Sequence, residues 1–154
     1  MSTYEEKHDE PIFMALKGDS PELVAAKKRA SETLPRFKQA ILEGKFSSAF
    51  FNLKAYIPEA NGSEGAHLWL WVRELTDDGY VCKSFELPKG FTGLRTDERV
   101  VLTPDKIEDW MINVDDGTLY GGFTIRVARA HVPEQEKSKF DSYIGVSRYS
   151  DDLP

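Results

Sequence analysis

The stretch IEDWMINVDDGTLYGGFTIRV, residues 107–127, decides how the chain is read. It places a carboxylate beside a tryptophan, then an Asp-Asp-Gly turn, then a Gly-Gly pair. A short Asp-Gly turn between two alternating runs is the local signature of a β-hairpin, so WMINV and TLYGGFTIRVARA are expected to pair around Asp115, Asp116 and Gly117. Leu119, Gly121, Phe123, Ile125 and Val127 then share one face of the second strand. Gly121 and Gly122 mark a bulge or a close approach of another backbone segment. Just upstream, Thr103, Pro104 and Asp105 signal one helical turn; Asp109 is expected to close it and Trp110 to anchor in the core.

Further upstream the signals are of two kinds. Ser20 suits a helix N-cap, Pro21 the first helical position and Glu22 the positive end of the helix dipole. Leu23, Ala26, Ala30, Leu34, Phe37 and Ile41 recur at spacings of three and four, which makes a core-facing helix ending at Gly44. Pro35 inside that stripe predicts a kink or break near Thr33. After Gly44 the period becomes two. Ala49, Phe51, Leu53, Ala55 and Ile57 share one face of a strand, and Phe50, Asn52, Lys54 and Tyr56 the other. AHLWLWVREL (66–75) and YVCKSFELP (80–88) flank Asp77-Asp78-Gly79 and read as a hairpin, with Val81, Phe85 and Leu87 inward. RVVLT (99–103) is a short strand, and a short helix is expected from Pro133 through Phe140, then a polar end.

One α+β domain follows: an N-terminal helix on a curved antiparallel sheet of about five strands, with a short C-terminal helix. Residues 1–19 read as a loose segment carrying the apolar patch PIFMAL, residues 20–132 as the domain body, and residues 133–154 as a helix and tail of the same domain. At 154 residues, 40% of them hydrophobic, the chain can bury a core without a disulfide or metal. A formal charge of −6 opposes nucleic-acid binding. The lone cysteine, Cys82, fits a reducing compartment. With neither a signal-peptide pattern nor a membrane-length apolar run, a cytoplasmic location and no membrane contact are expected.

Chemistry-bearing patterns are sparse. His67, Trp69 and Trp71 share a strand face where an imidazole and an aromatic floor suit a small ligand, although buried tryptophans would read the same way. Glu108 and Asp109 are adjacent and point apart in a strand, which does not suit a paired acid and base. His8, His67 and His131 lack metal-ligand spacing, so neither metal nor cofactor is expected. There is no Gly-x-Ser-x-Gly elbow and no phosphate loop. Asp77-Asp78, Asp115-Asp116 and Asp151-Asp152 concentrate negative charge at turns and tail, a pattern that suits a basic protein partner.

TLPRF (33–37), HLWLWV (67–72), IEDWM (107–111) and GGFTIRV (121–127), in that order, resemble the bacterial family called domain of unknown function 2314. The likeness covers about residues 23–129. It implies a small cytoplasmic bacterial domain without an established activity, and it matches His67, Trp69, Asp109, Trp110, Gly121, Gly122 and Thr124 to the family pattern. Where family members carry an Asn-x-Pro turn, this chain has ELPKG (86–90). Two functions are carried forward. The first is a non-catalytic acidic binding protein, most concretely an immunity-type inhibitor of a basic bacterial toxin or enzyme; the second is a small ligand-binding or hydrolytic domain around His67, Trp69 and Asp109. The sequence sets no oligomeric state.

Overall fold

The computed structural model describes residues 20–62, 64–84, 86–151 and 153. The expected loose segment 1–19, Phe85 and Asp152 lie outside these residues. Helix α1 (Pro21–Glu43) starts and stops as its signals indicate. The Ser20 hydroxyl accepts from the Leu23 amide at 3.3 Å, and Gly44 closes the helix at φ 61°. Leu23, Ala26, Ala30, Leu34 and Phe37 are buried along one stripe. The break expected near Thr33 is absent, and the helix runs on through Pro35. Leu34 and Phe37, on either side of Pro35, are both buried, so packing overrides the local cost of the proline.

Among the described residues seven strands form one sheet in the order β4-β3-β2-β1-β5-β6-β7. They are β1 (Ala49–Ile57), β2 (Ala66–Leu75), β3 (Tyr80–Ser84), β4 (Arg99–Leu102), β5 (Ile107–Val114), β6 (Thr118–Gly121) and β7 (Arg148–Ser150). All neighbours pair antiparallel except β6 and β7, which are parallel. The expected count of about five falls short partly because β7, three residues inside a polar tail, carries no period that sequence can display. A 3-10 turn, Pro104–Lys106, precedes β5 as expected.

The core lies between α1 and one sheet face. Leu53 pairs with both Leu70 and Trp110 in register, so these three side chains share that face. Phe37 sits fully buried among Phe51, Tyr80 and Trp110, with ring centroids 5.8, 6.0 and 5.5 Å away. In β3 the inward residues are Tyr80, Cys82 and Ser84, not Val81. The cause is the pairing with β2, in which the core-facing Leu70 and Val72 stand opposite Ser84 and Cys82, so the even-numbered residues of β3 face inward.

The largest departure falls in the opening stretch. Residues after Gly122 do not continue the hairpin but form helix α2 (Phe123–Ala130), which buries Thr124, Ile125 and Ala128. A 3-10 turn, Glu134–Glu136, and helix α3 (Lys137–Tyr143) follow where Pro133 announces them. Leu119, Ile125, Ala128, Val132, Phe140 and Val146 make a second apolar cluster, against which Trp69 and Met111 pack. Gly121 and Gly122 have φ values of 74° and 63°, which end the strand and turn the chain into α2.

A Cβ at Gly121 would fall 2.5 Å from the Trp110 carbonyl oxygen and 2.6 Å from its indole ring. Gly121→Ala therefore combines left-handed strain with a backbone clash, and a loss of about 3 kcal/mol is expected in urea denaturation. Gly122→Ala, whose nearest neighbour is the movable Leu119 side chain, should cost only about 1 kcal/mol. Equal costs would show that the close approach to Trp110 does not constrain the turn.

Candidate functional site

Register brings three of the singled-out residues to one sheet face. Lys54 pairs with Trp69 on one side and Asp109 on the other, and Tyr56 pairs with His67 one row further on. Asp109 is completely buried. Its Oδ1 accepts from the Trp110 amide at 2.8 Å and the Phe123 amide at 3.2 Å; its Oδ2 accepts from the Thr124 amide at 2.8 Å and the Thr124 hydroxyl at 2.6 Å. Gly122, the N-cap of α2, has no side chain to satisfy the first amides of that helix. Asp109 does so from β5, a cap supplied across space.

Burial pushes the Asp109 carboxyl up, while the Thr124 hydroxyl and amide, the Lys54 charge and the Trp110 amide pull it down. Burial likewise pushes Lys54 down, opposed by Asp109 and Glu108. The Lys54 ammonium donates to the Thr124 hydroxyl at 3.4 Å and lies 5.9 Å from the Trp69 ring centroid. Trp69, Lys54, Thr124 and Asp109 thus form one internal polar row whose donors and acceptors serve each other.

Beside this row, His67 Nδ1 lies 2.7 Å from Glu108 Oε1, and Lys27 of α1 is 3.8 Å from the same carboxylate. Burial works to raise the Glu108 carboxyl, but the His67 hydrogen bond and the His67, Lys27 and Lys54 charges outweigh it and leave it below the usual range. The group ties β2, β5 and α1 together. His131 makes a similar link, 3.1 Å from Glu22.

The other singled-out residues lie apart from this row. Trp110 is 3% exposed, and its indole N–H donates to Thr33 Oγ1 at 2.9 Å, so it faces the core and not solvent. Trp71, half-buried, stacks on Phe50 at 5.4 Å with the planes 6° apart. Asp115 and Asp116 are exposed at the β5–β6 tip, where Asp116 accepts from the Thr118 amide at 3.0 Å. Burial pushes the Cys82 thiol up to about 12, which leaves it protonated and unreactive. Among the described residues no cluster of three or more His, Cys, Asp or Glu could hold a metal, and no helix is long and apolar enough to cross a membrane.

Sequence reasoning missed Lys54, which sits at an outward position of an alternating strand and reads there as a solvated charge. Only strand pairing reveals that it stands half-buried beside Asp109, joined to it through the Thr124 hydroxyl. It also passed over Phe50, although a phenylalanine on the polar side of β1 was itself a signal of an apolar surface.

The family model describing an uncharacterized protein conserved in bacteria, DUF2314, matches residues 20–147. The chain belongs to this family. The match spans α1 through α3, and so includes both Asp109 and the helix it caps. A curated relative from Neisseria meningitidis serogroup B, provisionally named an ankyrin repeat protein, is 27% identical over 144 residues. The alignment covers 90% of this DUF2314 chain and 56% of that protein, so the chain spans little more than half of its relative. No solved structure matches the chain with significance.

Asp109→Asn keeps the shape but loses the charge and one acceptor oxygen, and it strands Lys54. A loss of about 3–5 kcal/mol is expected by chemical denaturation. Adding Lys54→Met to that variant should recover part of the loss, whereas strictly additive effects would contradict the coupling between the two. Glu108, with its lowered pKa, stabilises the fold above the unfolded carboxylate value of about 4.3, and this contribution disappears as pH falls through the lower folded value. Glu108→Gln should therefore flatten the loss of stability below about pH 4.5 in acid titrations followed by circular dichroism.

Proposed function

We propose that this DUF2314 chain is a non-catalytic binding protein that seats a basic protein partner on the acidic, aromatic end of its sheet. An immunity-type inhibitor of a basic bacterial toxin is the most concrete form. One observation carries this. Strands β2 and β5 both pair antiparallel with β1, so they run in the same direction and their following turns emerge at the same end. Asp77 and Asp78 occupy one turn, Asp115 and Asp116 the other, two strand spacings or about 10 Å apart. All four are exposed, and among the described residues no partner for the Asp77, Asp78 or Asp115 carboxylates is found.

Strand β1 begins between these tips. There Phe50, 56% exposed, stacks on Trp71, and Arg73 lies 6.0 Å from the Trp71 centroid. Exposed carboxylates around an aromatic pair suit recognition of a basic surface, since charge steers the encounter and a rigid ring supplies buried contact area. The inward groups that might serve chemistry are engaged with each other, which supports a binding role over a reactive one. A pocket around His67, Trp69 and Asp109 has less support, because four donors already occupy both Asp109 oxygens. A cytoplasmic site of action is part of the same proposal.

The test is quantitative capture from the lysate of cells that express the protein. A basic partner should be retained by wild type, released by salt, and reduced by about tenfold or more with Asp77→Asn/Asp78→Asn/Asp115→Asn and with Phe50→Ser. Glu32→Gln, at an exposed carboxylate elsewhere, should bind as wild type. No partner, or one retained equally by all variants, would overturn the proposal.

A further inference from the structure

A surface of the opposite sign lies between α1 and α2. Arg29 and Arg36 stand two turns apart on α1, and with Arg126 of α2 they line a cleft over the edges of Tyr120 and Phe123. In a chain of net charge −6, three guanidinium groups on one cleft require an account.

Arg126 has one. Its Nε donates to the Gly121 carbonyl at 2.8 Å, its Nη2 to the Ser150 carbonyl at 2.7 Å, and its Nη1 to Asp151 at 2.9 Å. It is both fixed and neutralised, and it pins the C-terminal strand to α2. Arg29 and Arg36 differ. Both are exposed, and among the described residues neither has a carboxylate partner. Arg29 rests over the Phe123 ring, 5.5 Å from its centroid, while the neighbouring Glu32 is paired with Lys28 at 3.2 Å. The Tyr120 ring packs on Phe46, and its hydroxyl has no hydrogen-bond partner among the described residues. The cleft thus presents two unneutralised guanidinium groups and one free hydroxyl.

We infer that the cleft between α1 and α2 binds the dianionic phosphate of a small phosphate monoester, held by Arg29 and Arg36 with the Tyr120 hydroxyl as a third donor. The charge count selects the class: with Arg126 balanced by Asp151, an excess of two positive charges remains among the described residues of the lining. A dianion cancels it; a single carboxylate or a phosphodiester does not. Guanidinium groups also offer the planar, paired donors that suit phosphate oxygens. The enclosed part of the cleft is only about 20 Å³, room for one oxygen-sized group, so the rest of the ligand stays outside. This face is separate from the acidic end of the sheet and does not depend on the binding role proposed for that end.

The experiment follows the arginine Nε–Hε signals by NMR while methyl phosphate is added at low ionic strength. Saturable shifts of Arg29 and Arg36 are expected at pH 7.5. Affinity should fall about tenfold or more in Arg29→Gln and in Arg36→Gln, both at exposed positions and each checked for an unchanged circular dichroism spectrum, and should not change in Arg99→Gln on β4. Arginine does not titrate in this range, so lowering the pH to 5 should weaken binding severalfold as the phosphate loses its second charge near a pKa of about 6. Dimethyl phosphate, which has a single charge at any of these pH values, should not saturate. Non-saturating shifts, equal binding of dimethyl phosphate, or equal loss in Arg99→Gln would each overturn the site. Inorganic phosphate binding tighter than the methyl ester would overturn its assignment to a monoester.

Discussion

The Asp109 carboxylate holds the two halves of this fold together. It lies in β5, next to the central strand, yet three of its four hydrogen bonds reach fourteen or fifteen residues along the chain to the first turn of α2. Without a cap, a helix end leaves several amides unpaired, and in a buried setting each is costly. Supplying that cap from the sheet fixes where α2 starts and how it approaches β5. The surrounding constraints follow from this one. Gly121 and Gly122 must take left-handed conformations so that the chain can turn from β6 straight into the capped helix. The Gly122 amide donates to the Trp110 carbonyl at 2.7 Å, and the Trp110 ring reaches Thr33 of α1. Sheet, first helix and second helix are thereby joined within two consecutive residues, Asp109 and Trp110.

This arrangement explains which parts of the fold were legible in sequence. The start of α1, its end at Gly44 and its buried stripe depend on local chemistry, and local chemistry is what a sequence displays. The same holds for the β1 alternation, the two Asp-Asp-Gly turns and the short helices around residues 104 and 134. The failures share a different cause. FTIRVARA alternates well enough to pass for a strand; what makes it a helix is a cap from residue 109, which no window around residue 124 contains. The inward face of β3 depends on which of its residues stand opposite Leu70 and Val72 of β2. The proline of α1 fails to break the helix because the sheet holds both of its halves.

The candidate site shows the same division. His67, Trp69, Asp109 and Thr124 were singled out as residues that plain packing does not call for; the structure sets the first three on one sheet face, with Thr124 of α2 against Asp109. What sequence did not convey was that their polar groups answer one another. Lys54 was the missing member: without it, Asp109 is a lone buried carboxylate and invites a catalytic reading; with it, the pair is internally compensated. The link runs through Thr124, whose hydroxyl accepts from Lys54 and donates to Asp109, and such a group specifies geometry more than it adds stability.

The electrostatic consequence reaches the surface. Lys54 and Asp109 stand beside each other inside, and Glu108 faces His67 and Lys27, so the field outside is set largely by other groups. Two sets of them stand apart. Asp77, Asp78 and Asp115 stand at the end of the sheet where β1 begins, whereas Arg29 and Arg36 line the cleft between α1 and α2. Screening at physiological salt limits each patch to about 8 Å, less than the thickness of a helix packed on a sheet. A charged partner approaching either side therefore meets mainly the local excess of one sign, and the modest net charge of the chain is a poor guide to what either surface attracts.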